Sequence, residues 1–474
     1  MVDTLACDIC VIGAGSGGLS VAAGASQMGA STILIERAKM GGDCLNYGCV
    51  PSKALIAAAH AAQAVRRAPM FGVNASPPEI DFGKVHDHVH DVIAQIAPHD
   101  SVERFEGFGV TVILDHARFT GPREVEAGGK LIRARRFVIA TGSSPATPPI
   151  PGLDTVPYFT NETIFDCREA PGHLLVIGGG PIGVELAQAF CRLGVKVTIL
   201  EMFGVMGRDD PELAAIVQRR LREDGVQIHE KIQIDGIEGA AGDIRVRLNV
   251  ENRQTVIEGT HLLVAAGRKP NLDGLDLEAA GIEHTPKGVE VDRRLRTSNK
   301  RVFAVGDIAG PFQFTHVAGY HAGIVIRNAL FRLPAKVNHD AVPWATYTDP
   351  ELAWVGMSET VARAKHGDIR VMRFPFVEND RAVAERTTDG LVKVITTKKG
   401  VVVGAGIVGP HAGELIQSWI LPVARAMNIK RVAGLIAPYP TLGEASKRAA
   451  GAYFTPALFG DRVKMIVSLL AKLG

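Results

Sequence analysis

The sequence is poor in cysteine and close to balanced in charge. It contains six cysteines in 474 residues and has a formal net charge of +2 at pH 7. So few cysteines cannot stabilise a disulfide scaffold of this length, so any close pair is expected to be catalytic or metal-binding. The small net charge argues against a large basic surface for nucleic acid. The length instead predicts a globular chain of roughly three domains.

No stretch of the sequence is predicted to span a membrane, although one stretch resembles a membrane span in having no charge. Residues 9–35 carry no charge, which is typical of a signal or membrane-spanning sequence. Six glycines interrupt the stretch, however, and they lower its helix propensity. Two aspartates precede it in place of a basic segment. We therefore expect no membrane span, and a cytoplasmic protein.

Two parts of the chain share one glycine pattern. Each part has an apolar strand, a glycine-rich turn, a helix, a second strand and then an acid, 23 residues after the first glycine. The residues are Gly13, Gly15, Gly18 and Glu36 in the first part, and Gly178, Gly180, Gly183 and Glu201 in the second. Such glycines allow a tight turn, close approach of a pyrophosphate and close helix packing, while the acid binds ribose hydroxyls. The repeat predicts two dinucleotide sites.

The two halves differ by an insertion. Each half closes with a similar strand, which is followed by a glycine at Gly142 and at Gly267. The distance from the first to the closing glycine is 129 residues in the first half and 89 in the second. The first half therefore carries about 40 extra residues, beginning just after Glu36. This insertion contains Cys44 and Cys49.

Cys44 and Cys49 are candidates for thiol chemistry. A helix is predicted directly after them, because Pro51 suits a first helical turn and residues 54–67 are strong helix formers. A thiol at a helix N-terminus has a lowered pKa. A dithiol there can attack an external disulfide and release it by forming its own.

A second close pair, Cys7 and Cys10, lies on the first strand. An offset of three along a strand predicts that the two side chains point to opposite faces. We therefore expect no metal site at this pair, and none elsewhere in the chain.

The segment from Gly41 to Lys53 closely resembles the redox-disulfide motif of the class I pyridine nucleotide-disulfide oxidoreductases, a family that includes dihydrolipoamide dehydrogenase, glutathione reductase and mercuric reductase. The resemblance covers nearly the whole chain. It implies an α/β fold with two Rossmann-like domains, for FAD and for NAD(P)H, followed by an α+β dimerisation domain, and a homodimer. The implied boundaries are 1–148 and 276–342 for the two parts of the FAD domain, 149–275 for the NAD(P)H domain, and 343–474 for the dimerisation domain.

The resemblance also implies roles for individual residues. Cys44 would be the thiol that meets the substrate, and Cys49 the thiol that contacts the flavin and forms a charge-transfer complex with it. Lys53 would lie near the flavin and pair with Glu185. The other residues implied at the cofactors are Ala117, Thr141, Gly142, Ser143, Gly267, Asp307, Thr315, His316 and Ala318, and among these Asp307 would bind the ribityl chain.

Glu201 indicates which nicotinamide cofactor is used. A carboxylate at this strand end repels a 2′-phosphate and binds a free 2′-hydroxyl, which favours NADH over NADPH. The next residues, Met202 and Phe203, supply no cation, and Arg208 is the nearest one.

The C-terminal part departs from the family at one position. Dithiol-using members have a histidine there, followed five residues later by a glutamate, and the matching residues here are Tyr439 and Glu444. An unperturbed tyrosine titrates near pH ~10, so it is a poor base at neutral pH. Mercuric reductases are similar in having a tyrosine, but they also carry a C-terminal cysteine pair. This chain has no cysteine after Cys191.

The sequence thus predicts an oxidoreductase that passes electrons from NADH through FAD to Cys44 and Cys49, and then to an acceptor. Three hypotheses stay open. The acceptor is a disulfide or lipoamide-like substrate, with Tyr439, His411 or water as the base. Alternatively it is a thiophilic metal ion such as Hg(II), which thiolates bind without a base. In the third hypothesis the chain is a complex subunit or redox sensor with little turnover.

The C-terminal tail, residues 463–473, has a short amphipathic pattern. We expect it to dock on its own domain rather than on a membrane.

Overall fold

The computed structural model of the protein describes residues 3–250 and 253–473. The strands are β1 Asp3–Ile12, β2 Thr32–Glu36, β3 Val110–Leu114, β4 Arg118–Gly121, β5 Glu124–Ala127, β6 Lys130–Ile139, β7 Ser143–Pro145, β8 His173–Ile177, β9 Lys196–Glu201, β10 Gln227–Glu230, β11 Gln233–Ala240, β12 Asp243–Val250, β13 Arg253–Gly259, β14 His261–Val264, β15 Arg268–Pro270, β16 His284–Thr285, β17 Gly288–Val289, β18 Val302–Ala304, β19 Pro343–Thr346, β20 Glu351–Gly356, β21 Ile369–Pro375, β22 Leu391–Thr397 and β23 Val402–Gly409. The helices are α1 Ser16–Gln27, α2 Gly42–Asn46, α3 Cys49–Arg67, α4 Phe82–Ile96, α5 Val102–Gly107, α6 Pro181–Arg192, α7 Pro211–Glu223, α8 Thr315–Ala329, α9 Glu359–His366, α10 Asp380–Ala384, α11 Ala412–Leu415, α12 Gln417–Ala424, α13 Lys430–Ala433, α14 Glu444–Gly451, α15 Thr455–Leu458 and α16 Asp461–Leu470.

The chain forms two compact units, each made of two segments. The first unit contains the residues up to 202 together with 228–337, and the second contains 203–227 together with the residues from 338 onward. Helix α7 therefore belongs to the second unit, although it lies between two strands of the first in sequence. The four domain boundaries expected from the sequence stay predictions.

The first unit contains the predicted duplication. Its larger sheet has the order β3-β2-β1-β6-β5-β4, with β18 also on β6, and a second sheet has the order β10-β9-β8-β14. Strands β3-β2-β1-β6 and β10-β9-β8-β14 thus occupy the same places in two repeats. A three-stranded sheet, β11-β12-β13, takes the place of the β4-β5 hairpin. Strands β2 and β8 are buried along their whole length, as parallel strands covered on both faces require.

The glycine turns are close-packed in both repeats. Gly13 and Gly178 have φ of +103° and +110°, and an ideal Cβ on either would overlap a carbonyl oxygen, of Ala140 and Ala265 respectively. A Cβ on the third glycine of each turn would overlap the carbonyl oxygen of the first. Because only glycine fits at these points, the helix that follows packs directly against its strand.

The insertion lies where the sequence predicts it. Residues 37–109, with helices α2 to α5, join β2 to β3, whereas residues 202–226 alone join β9 to β10. Helix α3 begins at Cys49, so the prediction of a helix directly after the cysteine pair is confirmed.

The prediction that Cys7 and Cys10 face opposite sides of β1 is wrong. Cys10 is buried in a core cluster with Ile12, and Cys7 packs against the same cluster. The strict alternation of the strand is interrupted around Asp8, so an offset of three does not reverse the side chain here. Burial raises the pKa of the Cys10 thiol, and that of Cys7 to about 12. In the part of the chain that the structure describes, no group of three or more histidines, cysteines or acids is arranged to hold a metal ion.

The second unit is an α+β domain. Its sheet has the order β19-β20-β23-β22-β21 and is antiparallel throughout. One core cluster of this unit contains the buried residues Phe376, Ile407 and Trp419. Trp419 also donates a hydrogen bond of 3.0 Å to Ser446 of α14, so this helix is held to the core by a polar contact as well. With the two parallel-sheet repeats of the first unit, this architecture confirms the predicted fold class.

A buried charge cluster fastens α7 within the second unit. Lys393 on β22 has a side chain only 4% exposed, and its Nζ lies 2.8 Å from Asp210 and 3.1 Å from both Glu212 and Glu359. Burial by itself disfavours the Lys393 ammonium, but the hydrogen bonds that it donates to these carboxylates raise its pKa overall. Removing a buried cation that has three acidic partners strongly destabilises a fold, because the negative charges of the acids are then left without compensation.

The prediction that the C-terminal tail docks on its own domain is wrong. Helix α16 has no buried residue, and Met465, Leu469 and Leu473 are 67%, 62% and 78% exposed. Most apolar side chains of α16 therefore remain exposed to solvent within one chain. Among the helices of the described residues, none has the length and apolar character needed to cross a membrane.

We expect Lys393→Met to lower the free energy of unfolding of the second unit by about 3 kcal/mol, because it leaves the buried Asp210 without its cation. Urea unfolding followed by tryptophan fluorescence measures this, since Trp344, Trp354 and Trp419 are the only tryptophans and belong to the second unit. Lys398→Met is the matched control, because Lys398 pairs with Asp368 at the surface. Its effect should stay below about 0.5 kcal/mol. Equal effects of the two variants would contradict the assignment.

Candidate active site

Cys44 and Cys49 meet where three helices converge. Cys44 lies in α2 and Cys49 is the first residue of α3. Both are thiols, and their side chains are hydrogen-bonded to each other. Thr315, the first residue of α8, places its Oγ1 3.5 Å from Cys49 Sγ. The Cys49 sulfur thus lies at the N-termini of α3 and α8, where the helix dipoles favour a negative charge.

The two thiols differ in acidity. The pKa of Cys49 is lowered to about 6, first by the hydrogen bond from Cys44 and then by Thr315 and the charge of Lys53. Partial removal from water and the charge of Asp43 act in the opposite direction. The same hydrogen bond, together with burial, raises the pKa of Cys44. At neutral pH Cys49 is therefore the thiolate and Cys44 the thiol that donates to it.

Lys53 supplies a fixed cation one helical turn after Cys49. Its Nζ lies 2.8 Å from the Glu185 carboxylate on α6, and the Glu185 side chain is only 7% exposed. Residues four positions apart share a face of a helix, so Lys53 lies on the same side of α3 as Cys49. The structure thus brings together the lysine and the glutamate that the sequence places 132 residues apart.

The two acids of the dinucleotide repeats make equivalent contacts. The Glu36 carboxylate accepts a 2.6 Å hydrogen bond from the N–H of Ala14, and the Glu201 carboxylate accepts one of 2.6 Å from the N–H of Gly179. In both repeats the donor is the residue after the first glycine. Each acid therefore lies directly beside its glycine turn, which is where the ribose of a dinucleotide binds.

The middle glycine of each turn faces open space. An ideal Cβ on Gly180 would have no neighbour within 4 Å, and one on Gly15 would meet only Gly42, at 3.9 Å. Gly15 and Gly180 are also the N-cap residues of α1 and α6. Each site therefore offers room and a helix N-terminus to a pyrophosphate, so the residues present fit FAD at the first turn and a pyridine nucleotide at the second.

The closing segments of the two repeats lie side by side. Strand β7 after the first repeat pairs with β15 after the second, with Ser143 opposite Pro270. Thr141 and Asn271 join the same segments by two further hydrogen bonds, of 2.8 and 2.9 Å. Gly142 also accepts a hydrogen bond from the N–H of Asn271. This pairing positions the side chains that follow each closing glycine.

Arg268 connects three acidic and polar groups. It donates to the Oγ and the carbonyl oxygen of Ser143 at 2.8 and 2.7 Å, and lies 3.1 Å from the Asp43 carboxylate. Ser143 Oγ donates in turn to Asp307 at 2.6 Å. Burial raises the pKa of Asp307, and the contacts with Ser143 and Arg268 counteract this effect. A continuous network therefore runs from the residue before Cys44 to Asp307.

The remaining residues expected at the cofactors have separate surroundings. Ala117 is buried in a core cluster, so at most its backbone is available to a ligand. Gly267 has φ +129° and open space at its Cβ position. His316 is exposed and stacks on Phe314, with 5.2 Å between ring centroids. Ala318 is 7% exposed, on α8.

Tyr439 and Glu444 belong to the second unit and have different partners. Tyr439 is 67% exposed, and its hydroxyl donates a 2.8 Å hydrogen bond to Asp380 at the start of α10. That hydrogen bond raises the pKa of Tyr439 above its ordinary value. Glu444 pairs with Arg448 at 3.1 Å. The tyrosine is therefore held as a phenol.

His411 is the N-cap residue of α11, with φ +55°.

Asp43, Arg268 and Asp380 are site residues that the sequence did not predict. Two signals for the first two were available, since Asp43 directly precedes Cys44 and Arg268 directly follows Gly267. Nothing in the local sequence distinguishes Asp380 from other surface acids. Its contact with Tyr439 spans 59 residues.

Comparison with known families gives two matches that together cover most of the chain. Residues 7–322 match the pyridine nucleotide-disulphide oxidoreductase family. Residues 342–450 match the dimerisation domain of the same oxidoreductases.

Individual proteins are similar over nearly the whole chain. A mercuric reductase from Bacillus cereus is 34% identical over 451 residues, which cover 93% of this chain and 70% of the relative. A dihydrolipoyl dehydrogenase from Geobacillus stearothermophilus is 35% identical over 449 residues, which cover 93% and 94%.

Solved structures are similar as well. LpdA from Mycobacterium tuberculosis has a TM-score of 0.86 and 27% identity, covering 94% of this chain and 99% of its own. The Cu(II) complex of the HOCl-induced flavoprotein disulfide reductase RclA from Escherichia coli has a TM-score of 0.84 and 27% identity, covering 93% and 99%.

The family matches and the identity over most of the chain agree with the geometry of the site. The two glycine turns fit two nucleotides, and the thiol pair supplies a redox centre. The chain belongs to the pyridine nucleotide-disulphide oxidoreductase family and is a flavoprotein oxidoreductase that uses FAD and a pyridine nucleotide.

Proposed function

We propose that the chain catalyses the NADH-dependent reduction of a thiophilic metal ion at Cys44 and Cys49. The observation that carries the choice of acceptor is the hydrogen bond of Tyr439 to Asp380, which keeps the phenol protonated. Reduction of a disulfide or oxidation of a dithiol needs a base for the substrate thiol. A soft metal ion needs none, because thiolates bind it directly.

The residues that would hold FAD are those of the first glycine turn with Glu36, and the two segments that contain Ser143 and Asp307. The chemistry that bound FAD would supply is transfer of an electron pair from the reduced nicotinamide to the thiol pair. Lys53, fixed by Glu185, places a positive charge beside this pathway and stabilises negative charge that develops there.

The thiol pair itself binds the acceptor. Cys49 is a thiolate at neutral pH, and Cys44 becomes one when the ion displaces its proton to solvent. Both sulfurs then bind the ion, which takes up the two electrons that NADH supplies. In sum, one NADH and one Hg(II) give one NAD⁺, one proton and one Hg(0).

NADH as the donor is supported by Glu201. Its carboxylate is fixed against the N–H of Gly179, at the strand end where the adenosine ribose binds. A negative charge in that place repels a 2′-phosphate. We also propose a homodimer, supported by the match of residues 342–450. In this dimer Tyr439 and Glu444 of one subunit would lie beside Cys44 of the other.

We expect wild-type protein to consume NADH with release of elemental mercury when Hg(II) is supplied with excess small thiol, and Cys44→Ser to lose this activity by at least about 100-fold. Anaerobic NADH absorbance and mercury vapour detection measure the two products together. Cys167→Ser is the matched control, because this partly buried thiol of the first unit donates to the Glu169 carbonyl away from the site. Metal reduction that survives in Cys44→Ser would disprove the proposed role of the thiol pair.

A disulfide acceptor is the second candidate, and the presence of Glu444 at the family's position favours it. We expect Tyr439→His to raise turnover of a small disulfide or lipoamide by at least about tenfold, because histidine supplies a base near neutral pH. Tyr439→Phe is the control, because it also loses the hydrogen bond to Asp380. Its turnover of the disulfide should not rise. High disulfide turnover in the wild-type protein would reject the preference for a metal ion.

We expect wild-type kcat/KM for NADH to exceed that for NADPH by at least about tenfold, equivalent to 1.4 kcal/mol of discrimination. Glu201→Gln keeps an acceptor for the Gly179 N–H but removes the charge. It should lower this ratio, mainly by raising kcat/KM for NADPH. Steady-state kinetics with both nucleotides provide the internal comparison. A ratio that does not change in this variant would show that Glu201 does not select the cofactor.

A further inference from the structure

One carboxylate lies beside both thiols of the active site. Asp43 directly precedes Cys44 on α2. Its Oδ2 also lies against Gly48, the residue before Cys49, since an ideal Cβ on Gly48 would be 2.8 Å from that oxygen. A negative charge in this position opposes a thiolate on either cysteine, and it also occupies the N-terminal end of α3.

Arg268 places a cation on this carboxylate. Its guanidinium Nη2 lies 3.1 Å from Asp43 Oδ1, and its side chain is only 12% exposed. The two hydrogen bonds to Ser143 fix the plane of the guanidinium. An arginine is always charged and loses little freedom when its fork is already bonded, so the pairing is persistent. In the described part of the chain, the other partner of the Asp43 carboxylate is the neutral Asn161 amide, at 3.1 Å.

The charged groups around the Cys49 sulfur come from several elements. Helix α2 contributes Cys44 and Asp43, and α3 contributes Lys53, which is paired with Glu185 of α6. Helix α8 contributes the neutral hydroxyl of Thr315. The cation that compensates Asp43 comes from β15, in the segment that closes the second repeat. Without it, the charge beside the thiols becomes more negative by one unit.

We propose that Arg268 is a positioning residue that neutralises the Asp43 carboxylate and thereby favours the thiolate form of the neighbouring Cys49. It touches neither sulfur and acts through the carboxylate. The inference rests on the proposed function only in taking Cys49 as the thiolate of the pair. It makes Arg268, a residue of the nucleotide-binding repeats, a determinant of thiol reactivity.

The test measures the pH dependence of iodoacetamide alkylation at Cys49, by peptide mass spectrometry on the reduced, full-length flavoprotein. In the wild-type protein the midpoint should lie near pH 6, the pKa of Cys49. Arg268→Gln keeps donors for Ser143 but loses the charge, so the midpoint should rise by about one pH unit. Arg268→Lys keeps the charge and should stay within a few tenths of a unit of wild type.

The double variant Asp43→Asn with Arg268→Gln decides whether the arginine acts through the carboxylate. Its midpoint should return to within about 0.3 units of the wild type, because the charge that Arg268 compensates is gone. Asp43→Asn alone should not raise the midpoint. Arg296→Met is the control, since it removes an arginine that pairs with Asp292 elsewhere in the same unit.

Two outcomes would overturn the proposal. One is an unchanged midpoint in Arg268→Gln, and the other is a raised midpoint that persists in the double variant. Should Arg268→Gln fail to fold, a midpoint in Asp43→Asn higher than in the wild type would overturn it as well. Alkylation requires neither an acceptor nor a nicotinamide, so the result is independent of whether a metal ion or a disulfide is the substrate.

Discussion

The rest of the active site depends on a negative charge held on one sulfur. Cys49 retains that charge because two helices begin beside it, because Cys44 donates a hydrogen bond to it, and because Lys53 lies one turn further along α3. Each contribution comes from a different part of the chain. The thiolate therefore requires α2, α3 and α8 to meet at this point. The same charge separates the roles of the two cysteines, since the donor of the hydrogen bond must itself remain a thiol.

The duplicated architecture explains how distant segments reach this sulfur. Each repeat ends its parallel sheet in a strand followed by a glycine, and the segments after these glycines pair as β7 and β15. Ser143 and Arg268 are therefore neighbours, although 125 residues separate them in the chain. The insertion of the first repeat carries the cysteines to the same place. A site for electron transfer thus forms where the symmetry of the repeats is broken by one added segment.

The sequence predicts the parts of this site that depend on local rules. The glycine turns, the acids at the strand ends and the helix after the cysteines follow from turn chemistry and helix signals, and the structure has them at the expected residues. The contacts of Asp43 with Arg268 and of Tyr439 with Asp380 could not be predicted, because they join segments brought together only by tertiary packing. The predicted strand face of Cys7 is wrong because the strict alternation of the strand fails near Asp8. The predicted docking of the C-terminal tail is wrong because an amphipathic pattern does not identify the surface that a helix covers.

The position of the second repeat, between two strands of the first, has a consequence for biosynthesis. Strand β18, which joins the sheet of the first repeat, follows its partner β6 by more than 160 residues, and the whole second repeat lies between them. The parallel strands β8, β9 and β14 of the second repeat lie within residues 173–264 and can pair as soon as that stretch leaves the ribosome. Closing a long loop costs conformational entropy, and domains form as their sequence becomes available. The sheet of the first repeat is therefore completed after that of the second, and Cys49 gains its contact with Thr315 later still.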